Sequence, residues 1–66
     1  MIMEKELMID YRDENMDVCR KTIDDMEFCV RNSYAYFASA GKKYKVPLDS
    51  VIQVYTTVDN VYLTST

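Results

Sequence analysis

The chain has 66 residues, 48% of them hydrophobic and 29% charged, with one Gly and one Pro. That balance fits one small globular domain and excludes collagen-like, linker-like and strongly disordered chains. Its net charge of −3 argues against a global attraction to long nucleic acid or to an anionic membrane surface.

The pattern along the chain is period two, interrupted by turn residues, and it reads as antiparallel β structure throughout. Leu7, Ile9 and Tyr11 alternate with Met8, Asp10 and Arg12, which predicts a first strand over about 5–12. Asp13-Glu14-Asn15 is a polar turn, and a second strand runs from Met16 to about Ile23. A two-residue Glu14-Asn15 loop sets Tyr11 opposite Val18. Asp24-Asp25 is the next turn signal. Setting Ile23 opposite Met26 then requires a bulge between Cys19 and Thr22 to keep both registers. A helix over Asp13 to Phe28 fits Met16, Cys19, Ile23 and Met26 at helical spacing. The β-branched and aromatic content of the stretch favours strand instead.

The middle of the chain is more decisive. Asn32-Ser33 and Ala40-Gly41 are turn pairs. Pairing across them sets Val30 opposite Ala35, Phe28 opposite Phe37, Phe37 opposite Tyr44 and Ala35 opposite Val46. One face then collects Met26, Phe28, Val30, Ala35, Phe37, Tyr44 and Val46. A slip of one residue would turn this whole set outward, so the agreement of the two registers supports both. Pro47 ends the fifth strand or lies at an edge. Leu48-Asp49-Ser50 reads as a tight or helical turn, Val51 to Thr57 as a strand, and Val61 to Thr66 as the second arm of a final hairpin across Asp59-Asn60. The predicted fold is an all-β antiparallel meander of five to six strands, forming a bent sheet or open barrel with one short helical turn.

The run from Tyr36 to Ile52, with its Ala40-Gly41 turn and Val46-Pro47-Leu48-Asp49, resembles the strand–turn–strand cadence of bacterial pleckstrin-homology-like β proteins. The C-terminal helix of that fold has no counterpart here. The run contains no functional motif, so the resemblance implies no activity.

Charge is unevenly placed. Residues 1–27 carry nine acids against four bases, whereas residues 28–48 carry Arg31, Lys42, Lys43 and Lys45 and no acid. The register that builds the apolar face puts Arg31, Tyr34, Tyr36, Lys43 and Lys45, with Cys29, on the opposite side. Tyrosines beside cations suit a ligand that has a ring and a phosphate. They equally suit a protein contact, and the plainest reading is an exposed sheet face stabilised by cross-strand pairs.

Catalysis has little to draw on. The chain has no His, which removes the usual proton shuttle. Cys19 and Cys29 could be activated by Arg20, Lys21 or Arg31, but a small apolar residue in a sheet is the ordinary role of a free Cys. Residues 1–6 carry no basic lead-in and no apolar core of a secretory signal. A reducing cytoplasmic setting and free thiols follow as expectations. No metal, cofactor or enzymatic activity is expected. Asp24 and Asp25 read as loop residues, and no zinc or calcium spacing is present.

A domain this small is marginal alone, so a homo-oligomer is expected. The stretch from Val51 lacks the charge or proline that shields an edge strand. The functional expectation is a non-catalytic oligomeric binding protein. By analogy with tiny acidic antagonists of phages and mobile elements, it would sequester a host protein or an anionic nucleotide-like signal. The alternative is a structural or accessory subunit that assembles through its sheet edges.

Overall fold

The computed structural model describes residues 5–58. Six strands follow one another: β1 (Lys5–Arg12), β2 (Val18–Ile23), β3 (Phe28–Arg31), β4 (Tyr34–Ser39), β5 (Lys42–Pro47) and β6 (Val51–Val58). They form two antiparallel sheets of three strands, ordered β2-β1-β6 and β3-β4-β5. The chain leaves the first sheet through a 3-10 turn at Asp24–Met26 and returns through another at Leu48–Ser50. The all-β antiparallel class and the helical turn after Pro47 agree with the sequence. The six strands are nevertheless divided between two sheets and do not share one bent sheet.

The second sheet follows the expected registers. Val30 faces Ala35, Phe28 faces Phe37, Phe37 faces Tyr44 and Ala35 faces Val46. Asn32 (φ 53) and Ser33 (φ 68) are both left-handed, as are Ala40 (φ 51) and Gly41 (φ 81). Paired left-handed residues give the tight two-residue turn whose twist matches the flanking strands. Two such turns in succession fix the parity of all three strands.

The first sheet departs from expectation in two places. Tyr11 pairs with Cys19, and Val18 pairs with Arg12. The reason lies in the loop. Asp13 Oδ1 accepts the N–H groups of Asn15 (2.8 Å) and Asp17 (3.0 Å), and Met16 turns left-handed at φ 68. The extra left-handed residue lengthens the loop by one and shifts the register. Ile23 has no partner at Met26, and no bulge lies between Cys19 and Thr22. Instead Asp25 and Met26 (each φ 55) carry the chain across to the other sheet. The irregularity sits elsewhere, between Asp10 and Tyr11 where β1 meets β6.

The core lies between the sheets. Ile9, Tyr11 and Ile23 come from the first sheet and Phe37 and Val46 from the second, with Leu7, Cys19, Phe28, Tyr44 and Val51 packed around them. Phe37 meets the Tyr11 ring edge-on at 6.1 Å and stacks on Tyr44 at 5.2 Å, nearly parallel at 9°. Lys21 Nζ, from β2, lies 5.5 Å from the Tyr44 ring. The predicted apolar face is therefore real at its centre and open at its ends, because Val30 is 50% and Met26 46% exposed. Val30 holds the right register but stays half exposed on the edge strand β3. Met26 sits in the turn and not in a strand.

β6 pairs antiparallel with β1 within the chain. The final hairpin expected over Val61 to Thr66 lies outside the described residues. Among the described residues no helix is long and apolar enough to cross a membrane. Cys19 and Cys29 are free thiols.

Candidate binding face

Along β4 every second residue is buried: Ala35, Phe37 and Ser39 point inward, and Tyr34, Tyr36 and Ala38 remain half-exposed. The strict alternation follows from the pleat, since a Phe anchored in the core forces its neighbours outward. The same parity carries Arg31 from β3 and Lys43 and Lys45 from β5 onto the outer side. All five predicted residues thus share one face. Arg31 stands opposite Tyr34, and Tyr36 stands between Cys29 and Lys45.

The contacts on this face run diagonally, not straight across. The Arg31 guanidinium carbon lies 4.9 Å from the Tyr36 ring centre, and Lys45 Nζ lies 4.3 Å from the Tyr34 ring centre. The two tyrosine rings are 6.5 Å apart and tilted by 59°. Each cation is therefore held over the ring two positions away on the neighbouring strand, within the reach of long side chains across a sheet. A cation over an aromatic face gains about 0.5–1 kcal/mol at an exposed site. β3, β4 and β5 contain no acid, so no carboxylate within these strands neutralises the face. Lys43 stands opposite Ala38, apart from the two tyrosines.

Lys43 and Tyr36 also border a groove of about 660 Å³ beside the Asp24–Met26 turn, lined further by Asp25, Glu27, Phe28 and Tyr44. Acids on this rim disfavour a phosphate there. Asp24 itself is occupied: its carboxylate accepts the N–H groups of Ala40 (3.1 Å) and Gly41 (2.9 Å). Its role is to hold the β4–β5 turn, which agrees with the loop reading of the Asp24-Asp25 pair.

Cys19 does not resemble a nucleophile. Burial and the neighbouring Asp13 push its thiol pKa up, outweighing the lowering by Lys21. Its Sγ lies 3.6 Å from Asp13 Oδ2. Arg20, its neighbour in the chain, pairs with Asp10 instead.

Asp10 is a residue that sequence reasoning passed over. It sits on the middle strand of the first sheet, on the face away from the core, and is 3% exposed. Arg20 donates to it from one side at 2.9 and 3.3 Å, Gln53 Nε2 from the other at 2.7 Å, and the Tyr55 hydroxyl lies 3.4 Å away. These donors, Arg20 first, hold its pKa below the usual 3.8. The available signal was an acid in the middle of a strand-like run, a position that demands partners.

Comparison of the chain with protein-family models, with curated proteins and with solved structures finds no match among any of them.

Proposed function

We propose that the protein is a non-catalytic binding protein that captures an acidic protein surface on the outer side of β3-β4-β5. The observation that carries this reading is the pair of diagonal stacks, Arg31 over Tyr36 and Lys45 over Tyr34. They hold two cations and two aromatic rings in a fixed pattern on an open sheet. Tyr and Arg are the residue types that dominate binding energy at protein contacts, and cations already placed lose less freedom when a partner arrives. The rings are covered by the protein's own cations. A nucleotide-like molecule would have to displace those cations in order to stack. The hollow beside Lys43 and Tyr36 carries Asp25 and Glu27 on its rim, and a second beside Lys45 carries Asp13 and Glu14. Both features favour a broad acidic surface over a small anionic ring. The raised thiol pKa of Cys19 supports a role without covalent chemistry.

A titration of the full chain with a glutamate-rich peptide, followed by amide NMR, tests the reading. Shifts should concentrate at Arg31, Tyr34, Tyr36 and Lys45, and Lys45→Glu should abolish them while leaving the core resonances in place. Saturable binding of mono- or cyclic nucleotides at the same residues, with no response to the peptide, would replace this reading with a small-molecule one. No response at this face to either probe would reject it.

A further inference from the structure

Among the described residues four strands bound the two sheets: β2 and β6 the first, β3 and β5 the second. An edge strand presents unpaired N–H and C=O groups to any extended chain, and proteins blunt such edges with charge, proline or brevity. Three of these edges are blunted. β5 carries Lys42, Lys43 and Lys45 and ends at Pro47. β3 has only four residues and ends at Arg31. β2 carries Arg20 and Lys21. β6 has none of these devices. Its eight residues, Val51–Val58, include no charge, no Pro and no Gly. Ile52 is 47% and Val54 37% exposed, although Val54 stands opposite the fully buried Ile9. Among the described residues β1 is the only strand that pairs with β6.

We propose that the edge of β6 that no described strand covers pairs antiparallel with β6 of a second copy, joining the two β2-β1-β6 sheets into one continuous sheet of six strands. A second copy fits this edge for two reasons. The other three edges carry only cations, Arg20 and Lys21 on β2, Arg31 on β3 and three lysines on β5, so β6 is the one described edge that brings no like charges together when two copies pair. In addition, a two-fold axis normal to the sheet preserves its faces. Gln53, Tyr55 and Thr57 then meet their own kind on the outer side, and Val54 and Thr56 meet theirs on the core side. β-branched, aromatic and Thr pairs of this sort stabilise sheets in any register the two-fold allows. The pairing also covers the exposed Ile52 and Val54, which the small core leaves open. It does not depend on the binding reading, because the Tyr34–Tyr36 face belongs to the other sheet.

Sedimentation equilibrium of the full chain from low to high micromolar concentration is the experiment. The wild type should sediment as a dimer. Ile52→Lys and Thr56→Lys, each of which places a charge on the paired edge of both copies, should weaken the dimer by at least about tenfold while circular dichroism stays β-like. Amide exchange of the wild type supplies a measurement that needs no variant: β6 protection should rise with protein concentration. A monomer at high micromolar concentration overturns the proposal. So does β6 protection that is independent of concentration, since residues of the same chain would then fill the edge. A dimer untouched by both lysines but broken by Lys45→Glu also overturns it, by placing the contact on the second sheet.

Discussion

The Arg20 guanidinium holds the Asp10 carboxylate from the neighbouring strand, Nε to Oδ1 at 2.9 Å, with the arginine side chain 66% and the aspartate side chain 4% exposed. The acid is sealed on the outer face of the first sheet by its own donors. Because its pKa is depressed in the folded state, the stabilisation is present above the usual aspartate value and is lost as pH falls through the lower folded value. Stability should therefore decline as pH drops below about 4. Asp10→Asn keeps one acceptor but removes the charge, so it should melt lower than wild type at neutral pH and show a flatter profile in acid. Asp13 is depressed as well, chiefly by the Asp17 N–H, and Asp13→Asn in parallel separates the two contributions. Urea titrations at several pH values measure this. Parallel profiles for wild type and Asp10→Asn would refute it.

Asp24 joins two places far apart in the chain. Its carboxylate receives the N–H groups of both residues of the β4–β5 turn, and Ala40 stands there at φ 51. Asp24→Ala should cost about 0.5–2 kcal/mol, in line with the loss of a side-chain cap. For a domain of this size each kcal/mol moves the melting temperature by about 4–8 °C. Ala40→Gly should stabilise by about 0.4–1 kcal/mol, since glycine accepts the left-handed conformation without strain and keeps the N–H. Calorimetry of the two single variants and the double variant checks both signs. Equal melting temperatures for wild type and Asp24→Ala would show that the carboxylate does not support the turn.

The same pair of bonds explains how far the sequence could be read. The pairing of β3, β4 and β5 was legible because two turn dipeptides set the parity and Phe28, Phe37 and Tyr44 agree with it, although Met26, expected on the same face, sits in the turn. The cation–tyrosine face followed without further information. The step from β2 to β3 was not legible. Asp24 finds its donors 16 and 17 residues away, and a local pattern cannot register a contact at that distance. Ile23 and Met26 looked like partners across a turn, yet two left-handed residues take the chain out of the sheet. The return of β6 to β1 is likewise a long-range pairing, visible only through its lack of edge protection. Asp10 was missed for a related reason: Gln53 and Tyr55 reach it only once that pairing exists, and Arg20 stands opposite it only in the shifted β1–β2 register.

Met16 offers a cheap check on the β1–β2 loop. It is left-handed at φ 68 and 67% exposed, so its side chain contributes little burial to offset the backbone strain. The position is one that three-residue hairpin loops give to glycine. Met16→Gly should stabilise by about 0.5–1 kcal/mol, read as a higher urea midpoint with an unchanged slope. A lower midpoint would mean that the loop is the two-residue Glu14-Asn15 form, with Tyr11 opposite Val18.

Phe37 is the residue that couples the sheets. It is 6% exposed, meets Tyr11 of the first sheet at 6.1 Å and stacks on Tyr44 of its own at 5.2 Å. Deleting a buried Phe to Ala costs about 3–5 kcal/mol through lost transfer energy and the cavity left behind. A domain of this size has little more than that in total. Phe37→Ala should therefore be unfolded or nearly so at 25 °C, whereas Phe37→Leu should stay folded with a reduced midpoint. Val30→Ala makes the contrast within the same predicted apolar face. Its side chain is half exposed, so it should lose less than about 1 kcal/mol. Denaturant curves for the three variants test the packing directly. Similar losses at Val30 and Phe37 would mean that the two sheets meet along the whole β3-β4-β5 face and not only at its centre.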